Sequence, residues 1–150
     1  MTDDFYPLAA DKTFLVSQKA LVIKNGKLLI LKATARISGG RSQWELPGGL
    51  LELDEPLREG LAREVKEETS LDIEVGQLLA LWDVWLPEFT FRDGRTMAVR
   101  VILPAYRCET DGDTIQLSKE HSEHRWIGKD DLDDLSFPDE VKQTLAQILS

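Results

Sequence analysis

Two apolar runs, Val16 to Lys24 and Leu28 to Lys32, flank the dipeptide Asn25-Gly26. Asn-Gly suits the left-handed positions of a tight turn, so the pattern predicts a β-hairpin. Residues 33–43 carry adjacent glycines and polar groups and predict a loop. Trp44 to Leu46 then predicts a short strand stopped by Pro47-Gly48-Gly49. From about Glu55 to Ser70 the period changes: Leu57, Leu61 and Val65 recur every four residues beside Ala62, while Glu64, Lys66, Glu67 and Glu68 occupy the other surface. That is an amphipathic helix packed on a sheet, with Asp54 as the expected N-cap and Glu55 and Glu59 near its positive end.

Strand-like composition returns over Ile73 to Leu86, with Trp82, Val84 and Leu86 on one parity and Pro87 expected to end the strand. Asp93-Gly94 predicts a second hairpin between Phe89–Arg92 and a long strand, Thr96 to Tyr106. Residues 109–124 read as loop, with a short strand possible around Ile115 and Leu117, and Arg125 to Ile127 as the last strand. Ser136 and Asp139 have capping-box spacing ahead of a final helix whose face is Val141, Leu145, Ile148 and Leu149. Residues 1–12, with Pro7, are expected to form an arm or a short edge strand. With no internal repeat or linker, residues 1–150 predict one α/β domain, a mixed sheet with helices on both faces.

Composition narrows the function. Lys and Arg number 18 against 27 Asp and Glu, a net charge of −9, which disfavours a nucleic-acid backbone as partner. A lone cysteine, Cys108, excludes an internal disulfide and a cysteine-rich zinc site, and reads as a small buried hydrophobe. No apolar run approaches membrane-spanning length and the acidic N-terminus is unlike a signal peptide, so the expectation is a soluble cytoplasmic chain with no membrane partner.

The chemistry concentrates around the first helix. Glu64, Glu67 and Glu68 lie three and four residues apart, so their carboxylates converge on one helical surface. Like charges at that spacing repel, and a hard oxygen-seeking cation such as Mg²⁺ turns that cost into a site. Arg63 is able to orient neighbouring carboxylates by forked hydrogen bonds, and Gly48 and Gly49 let the backbone approach a ligand closely.

Residues 49–71 resemble the Nudix box, whose pattern is met by Gly49, Glu55, Arg63, Glu64, Val65, Glu67, Glu68 and Leu71. Trp44-Glu45-Leu46-Pro47-Gly48 is similar to the family's usual entry into it. Ser70 stands where the family has Gly, at a helix end where a left-handed conformation costs a non-glycine residue about 1 kcal/mol. The resemblance implies a Nudix-like α/β/α sandwich with a curved mixed sheet. It implies a hydrolase that cuts the diphosphate linkage of a nucleoside diphosphate-X or nucleoside triphosphate and releases a nucleoside monophosphate. Glu64 and Glu68 would be the principal ligands of Mg²⁺, or of Mn²⁺ in its place. Glu67 would support a second or third ion, and the Gly48 carbonyl would complete a sphere. Gly49 and Glu55 would be structural. The catalytic set would be Glu67, Arg63 (more to hold the helix than to touch substrate) and a late-loop carboxylate, Glu120 in preference to Glu123.

His121 and His124 read as loop or phosphate contacts rather than a metal pair. Trp82, Trp85, Phe89 and Phe91 cluster around Pro87 and read first as core or dimer packing, with base stacking as the other use. Candidate substrate contacts are Arg41, Trp44, Trp85 and Arg92, with Arg36 and Arg95 as further loop cations. Three substrate classes stay open: nucleoside diphosphate sugars of the ADP-ribose type, nucleoside triphosphates including 8-oxo forms, and dinucleoside polyphosphates. Pro87 tips the balance slightly to the first. An RNA 5′-end hydrolase and a non-catalytic nucleotide-binding module are the rival readings, and the chain is expected to be a homodimer or a monomer.

Overall fold

A computed structural model describes residues 12–34 and 43–150. The expected arm lies, but for its last residue, outside them, as do Arg36 and Arg41. The first hairpin forms as expected: β1 (Phe14–Lys24) and β2 (Lys27–Ala33) turn at Asn25 and Gly26, whose φ values of 53° and 75° are those of a type I′ turn.

The two strands pair only beside that turn, at Ile23–Leu28 and Lys24–Lys27, and then diverge. Two short strands fill the fork. β3 (Gln43–Glu45) pairs with β2, and β4 (Gly48–Leu50) pairs with β1, both antiparallel. Gly48-Gly49 therefore does not stop a strand but starts one. Leu46 and Pro47 are the step by which the chain crosses from one branch to the other. On its far edge β1 runs parallel to β6 (Thr96–Glu109), and β6 pairs antiparallel with β5 (Glu74–Thr90). β7 (His121–Ile127) adds to the far edge of β2.

Pro87 does not end β5. A register shift between Leu86 and Phe89 absorbs it, on a strand at the edge of the sheet where a missing N–H costs no ladder bond. Residues 115–117 form no strand; the segment instead bonds to the end of α1 (Leu57–Thr69), Gln116 N–H to the Thr69 carbonyl and Ser118 N–H to that of Glu68.

Alternating side chains of the central strands feed two cores, one under each helix. Ala20, Val22, Leu29 and Leu31 pack with Leu61 and Val65 of α1. Leu21, Leu28 and Ile30 pack with Trp82, Leu132 and Leu145, the last on α2 (Asp139–Ile148). Each fully buried Leu or Val contributes about 1.5–3 kcal/mol, so these stripes hold both helices on the sheet. The result is the expected mixed sheet with helices on both faces.

Both helix starts differ from expectation. Asp54 is not the cap: α1 begins after Pro56, and the turn before it is closed by Glu52 N–H donating to Glu55 Oε1 at 3.1 Å. Ser136 is not a cap either, since α2 begins after Pro138 without a side-chain cap bond. Leu57 lies one turn too early to reach the sheet and is exposed.

Candidate active site

The fork between β1 and β2 sets the site. Gly48 has φ 143°, and a Cβ there would sit 1.9 Å from the Gln18 carbonyl oxygen on β1. Only glycine fits, and the close approach aims its N–H at Glu68 Oε1, 2.8 Å away. Gly49 leaves a different space: a Cβ there would lie 2.7 Å from Glu64 Cδ. One glycine thus binds a carboxylate of α1 and the next makes room for another.

Arg63 organises the same helix. Its Nη1–H bonds reach both Glu67 oxygens at 3.0 and 3.1 Å, and Nη2–H bonds reach Glu55 at 2.9 Å and Glu64 at 3.1 Å. Nε–H also donates to Glu55. Those bonds hold the Glu55 carboxyl below its usual range and the guanidinium well above its own. The backbone at the helix end is fixed by Ser70, which takes the left-handed conformation at φ 68° and donates its hydroxyl to the Gln116 carbonyl.

Glu68 is outside the reach of Arg63. It is buried, and desolvation pushes its carboxyl up to about 7 despite the Gly48 amide and the charges of His121 and Lys19. Burial also raises Glu64, partly offset by Arg63, with Glu67 and Glu120 adding repulsion. Costly negative charge held in fixed orientation is the electrostatic signature of a site for a cation.

Two further groups complete the cluster. His121 is buried, with Nε2 2.7 Å from Glu45 Oε1 and Nδ1 3.6 Å from Glu68 Oε2. Burial lowers its proton affinity, but the Glu45 hydrogen bond with the charges of Glu68 and Glu120 more than compensates, and it stays above the usual imidazole range. One donor atom from each of Glu45, Glu68 and His121 falls within 4.8 Å of the others. The set is able to chelate a divalent cation, and the buried His121 Nδ1, without a hydrogen-bond partner among the described residues, fits such an ion.

The remaining expected residues divide. Glu120 is exposed in the turn just before β7, near enough for its charge to act on Glu64 and His121. Glu123 is engaged with Lys32 at 3.1 Å, and His124 is exposed. Trp44 lies under Arg125 and Lys32, 5.5 and 5.8 Å from its ring, and walls a cleft of about 430 Å³ with Leu46, Trp82, Leu103, Phe137 and Val141. Glu45 and Lys19 line the same cleft and join it to the carboxylates.

Trp85 and Arg92 do not line that cleft; Trp85 is exposed on β5 and Arg92 is exposed in the β5–β6 turn. The expected aromatic cluster also separates: Trp82 is core, bonded to Thr144, while Phe89 and Phe91 meet edge to face at 4.9 Å. Cys108 is buried and its thiol pushed up to about 12 by desolvation, which makes it inert.

Sequence reading missed the Glu45–His121 pair, Lys19, and the lining by Phe137. Glu45 stood in the motif leading into the box, but nothing local joins it to a histidine 76 residues away.

Among the described residues no helix is long and apolar enough to cross a membrane. The NUDIX domain family model matches residues 15–148. A MutT-like protein of Streptomyces ambofaciens is 31% identical over 134 residues, covering 89% of this chain and 70% of the relative. The nucleoside triphosphatase NudI of Klebsiella pneumoniae is 26% identical, covering 85% and 91%. Among solved structures, the MutT protein of Methanosarcina mazei superposes with a TM-score of 0.70 at 25% identity, over 93% of this chain and 95% of that one. The chain belongs to the Nudix hydrolase family, and its activity is of that general phosphohydrolase type.

Proposed function

We propose that the protein is a divalent-metal-dependent pyrophosphohydrolase that cleaves a nucleoside triphosphate, or a nucleoside diphosphate linked to a further group, to a nucleoside monophosphate. The observation that carries this reading is the buried, only partly compensated carboxylate of Glu68 on the same helix as the cradled Glu64, opening through Glu45 into an apolar cleft. The triphosphate is placed first because the NudI relatives are nucleoside triphosphatases. Pro87, the sequence feature that favoured the ADP-ribose type, has an ordinary place at an edge-strand irregularity.

Glu64 and Glu68 would hold the ions, one to three Mg²⁺ or Mn²⁺, with Glu67 and the Gly48 carbonyl as further oxygen donors. When bound, such ions lower the pKa of water and neutralise charge developing on phosphoryl oxygens. The chain's own groups do the rest. Arg63 keeps Glu64 and Glu67 in fixed orientation while holding Glu55 to the preceding turn, so it acts as a positioning residue. Glu120 accepts the proton of the attacking water; Glu123 is committed to Lys32. The nucleobase packs between Trp44, Trp82 and Phe137, and Lys19 meets the phosphates where cleft and carboxylates join. The net charge of −9 leaves a long polyanion poorly matched to this surface.

The test is hydrolysis of a panel with Mg²⁺, products resolved by chromatography: common and 8-oxo deoxynucleoside triphosphates, ADP-ribose, a nucleotide sugar and diadenosine polyphosphates. Monophosphate release, fastest from a triphosphate, is expected. Preference for ADP-ribose by tenfold or more overturns the substrate order, and binding without turnover of any member overturns the catalytic reading.

A further inference from the structure

The cluster beside the helix carboxylates contains an imidazole whose two nitrogens face different partners. A carboxylate only accepts, so the 2.7 Å contact to Glu45 requires the proton on His121 Nε2. That leaves Nδ1, which is buried, has no hydrogen-bond partner among the described residues and lies 3.6 Å from Glu68 Oε2. The separation is too long for a hydrogen bond. It is close to the spacing of about 3.4 Å between two ligands that each sit about 2.1 Å from one tetrahedral ion. Glu68 is prepared for the same role: its Oε1 is taken by the Gly48 amide, so Oε2 is the oxygen turned to the imidazole. Glu45, less buried and lining the cleft, stands at the way in.

We propose that His121 Nδ1 and Glu68 Oε2 bind a borderline divalent transition ion of the Zn²⁺ class, with Glu45 as the positioning residue that fixes the imidazole tautomer. Carboxylate, imidazole and metal in line is the arrangement by which proteins orient a histidine ligand and raise its basicity. Imidazole nitrogen suits transition ions, whereas Mg²⁺ prefers oxygen and keeps its waters. The nitrogen therefore gives this end of the site a metal preference different from that of the Glu64–Glu67 side. The inference rests on the reading of Glu68 as a metal ligand.

The chain has two histidines, so tag-free, ¹⁵N-labelled protein reports on each directly. Zn²⁺ is titrated into the metal-free protein while imidazole nitrogen resonances are followed. The His121 Nδ1 signal is expected to move and saturate at one equivalent while His124 stays in place. Because His121 variants at a buried position risk misfolding, Glu45→Gln is the variant used. It is expected to weaken Zn²⁺ binding about 10–100-fold and Mg²⁺ binding, measured by calorimetry, less than about threefold. An unmoved His121 signal, or equal weakening of both ions, overturns the proposal. Mg²⁺-supported turnover of the wild type is measured alongside. Turnover with a silent His121 overturns this inference alone. Zn²⁺ on His121 with no turnover in either ion supports the inference and counts against the hydrolase reading.

Discussion

Glu68→Gln tests the electrostatics of the site without any substrate. In the folded, metal-free protein burial raises the Glu68 carboxyl from 4.5 to about 7. At about 1.4 kcal/mol for each tenfold change in proton affinity, that difference is worth about 3 kcal/mol. The folded state prefers the protonated acid, so the stability contribution is fully present below pH 4.5 and is lost as pH rises through about 7. Glutamine accepts the same Gly48 amide and cannot ionise, so it removes the penalty. Denaturant unfolding with chelator present should find the two proteins similar at pH 5. At pH 8 the variant should be the more stable by about 2–3 kcal/mol. Loss of the Glu68 charge also lowers the proton affinity of His121, which faces it, and reduces the gap somewhat. Saturating Mg²⁺ should restore the wild type at pH 8 and leave the variant nearly unchanged. A wild type as stable as the variant at pH 8 without metal would refute the reasoning.

Three other substitutions probe separate parts of the account. Gly48→Ala should cost at least about 3 kcal/mol in denaturant unfolding, because a Cβ 1.9 Å from the Gln18 carbonyl forces β1 and β4 apart; a loss under 1 kcal/mol contradicts the close approach. Ser70→Gly should stabilise by about 0.5 kcal/mol, the relief of a left-handed serine exceeding the loss of one exposed hydrogen bond to Gln116; thermal unfolding decides, and a net loss of 1 kcal/mol would reverse that ranking. Arg63→Lys keeps the charge but not the forked bonds to Glu55, Glu64 and Glu67, so kcat should fall tenfold or more while KM moves little; an unchanged kcat removes Arg63 as a positioning residue.

What the sequence made legible is what local pattern encodes. Asn25-Gly26 sets a turn by backbone preference alone, and the spacing of Glu64, Glu67 and Glu68 places three carboxylates on one helix whatever surrounds it. The Ser70 departure was readable for the same reason, since a left-handed helix end of this kind is set by local backbone preference. What was hidden depends on neighbours distant in sequence. The fork of β1 and β2 turns Gly48-Gly49 from a stop into a strand, and period-two patterns carry no record of which strand a segment will join. Pro87 passes within a strand because β5 happens to lie at the edge. Asp54 and Ser136 look like caps by residue type, yet Pro56 and Pro138 supply extended backbone at both helix starts and no side-chain bond is made. His121 acquires meaning only when β7 pairs with β2 and carries it against Glu45 and Glu68.

The central claim is that the carboxylates on α1 form a cation centre that cleaves a nucleoside diphosphate linkage. It is tested most directly by release of nucleoside monophosphate from the preferred substrate, comparing wild type with and without Mg²⁺ against Glu68→Gln with Glu123→Gln as control. The account predicts turnover by the wild type and by Glu123→Gln only with the metal, and a fall of at least 100-fold in Glu68→Gln. Equal turnover by wild type and Glu68→Gln, or turnover that survives chelation, would contradict it.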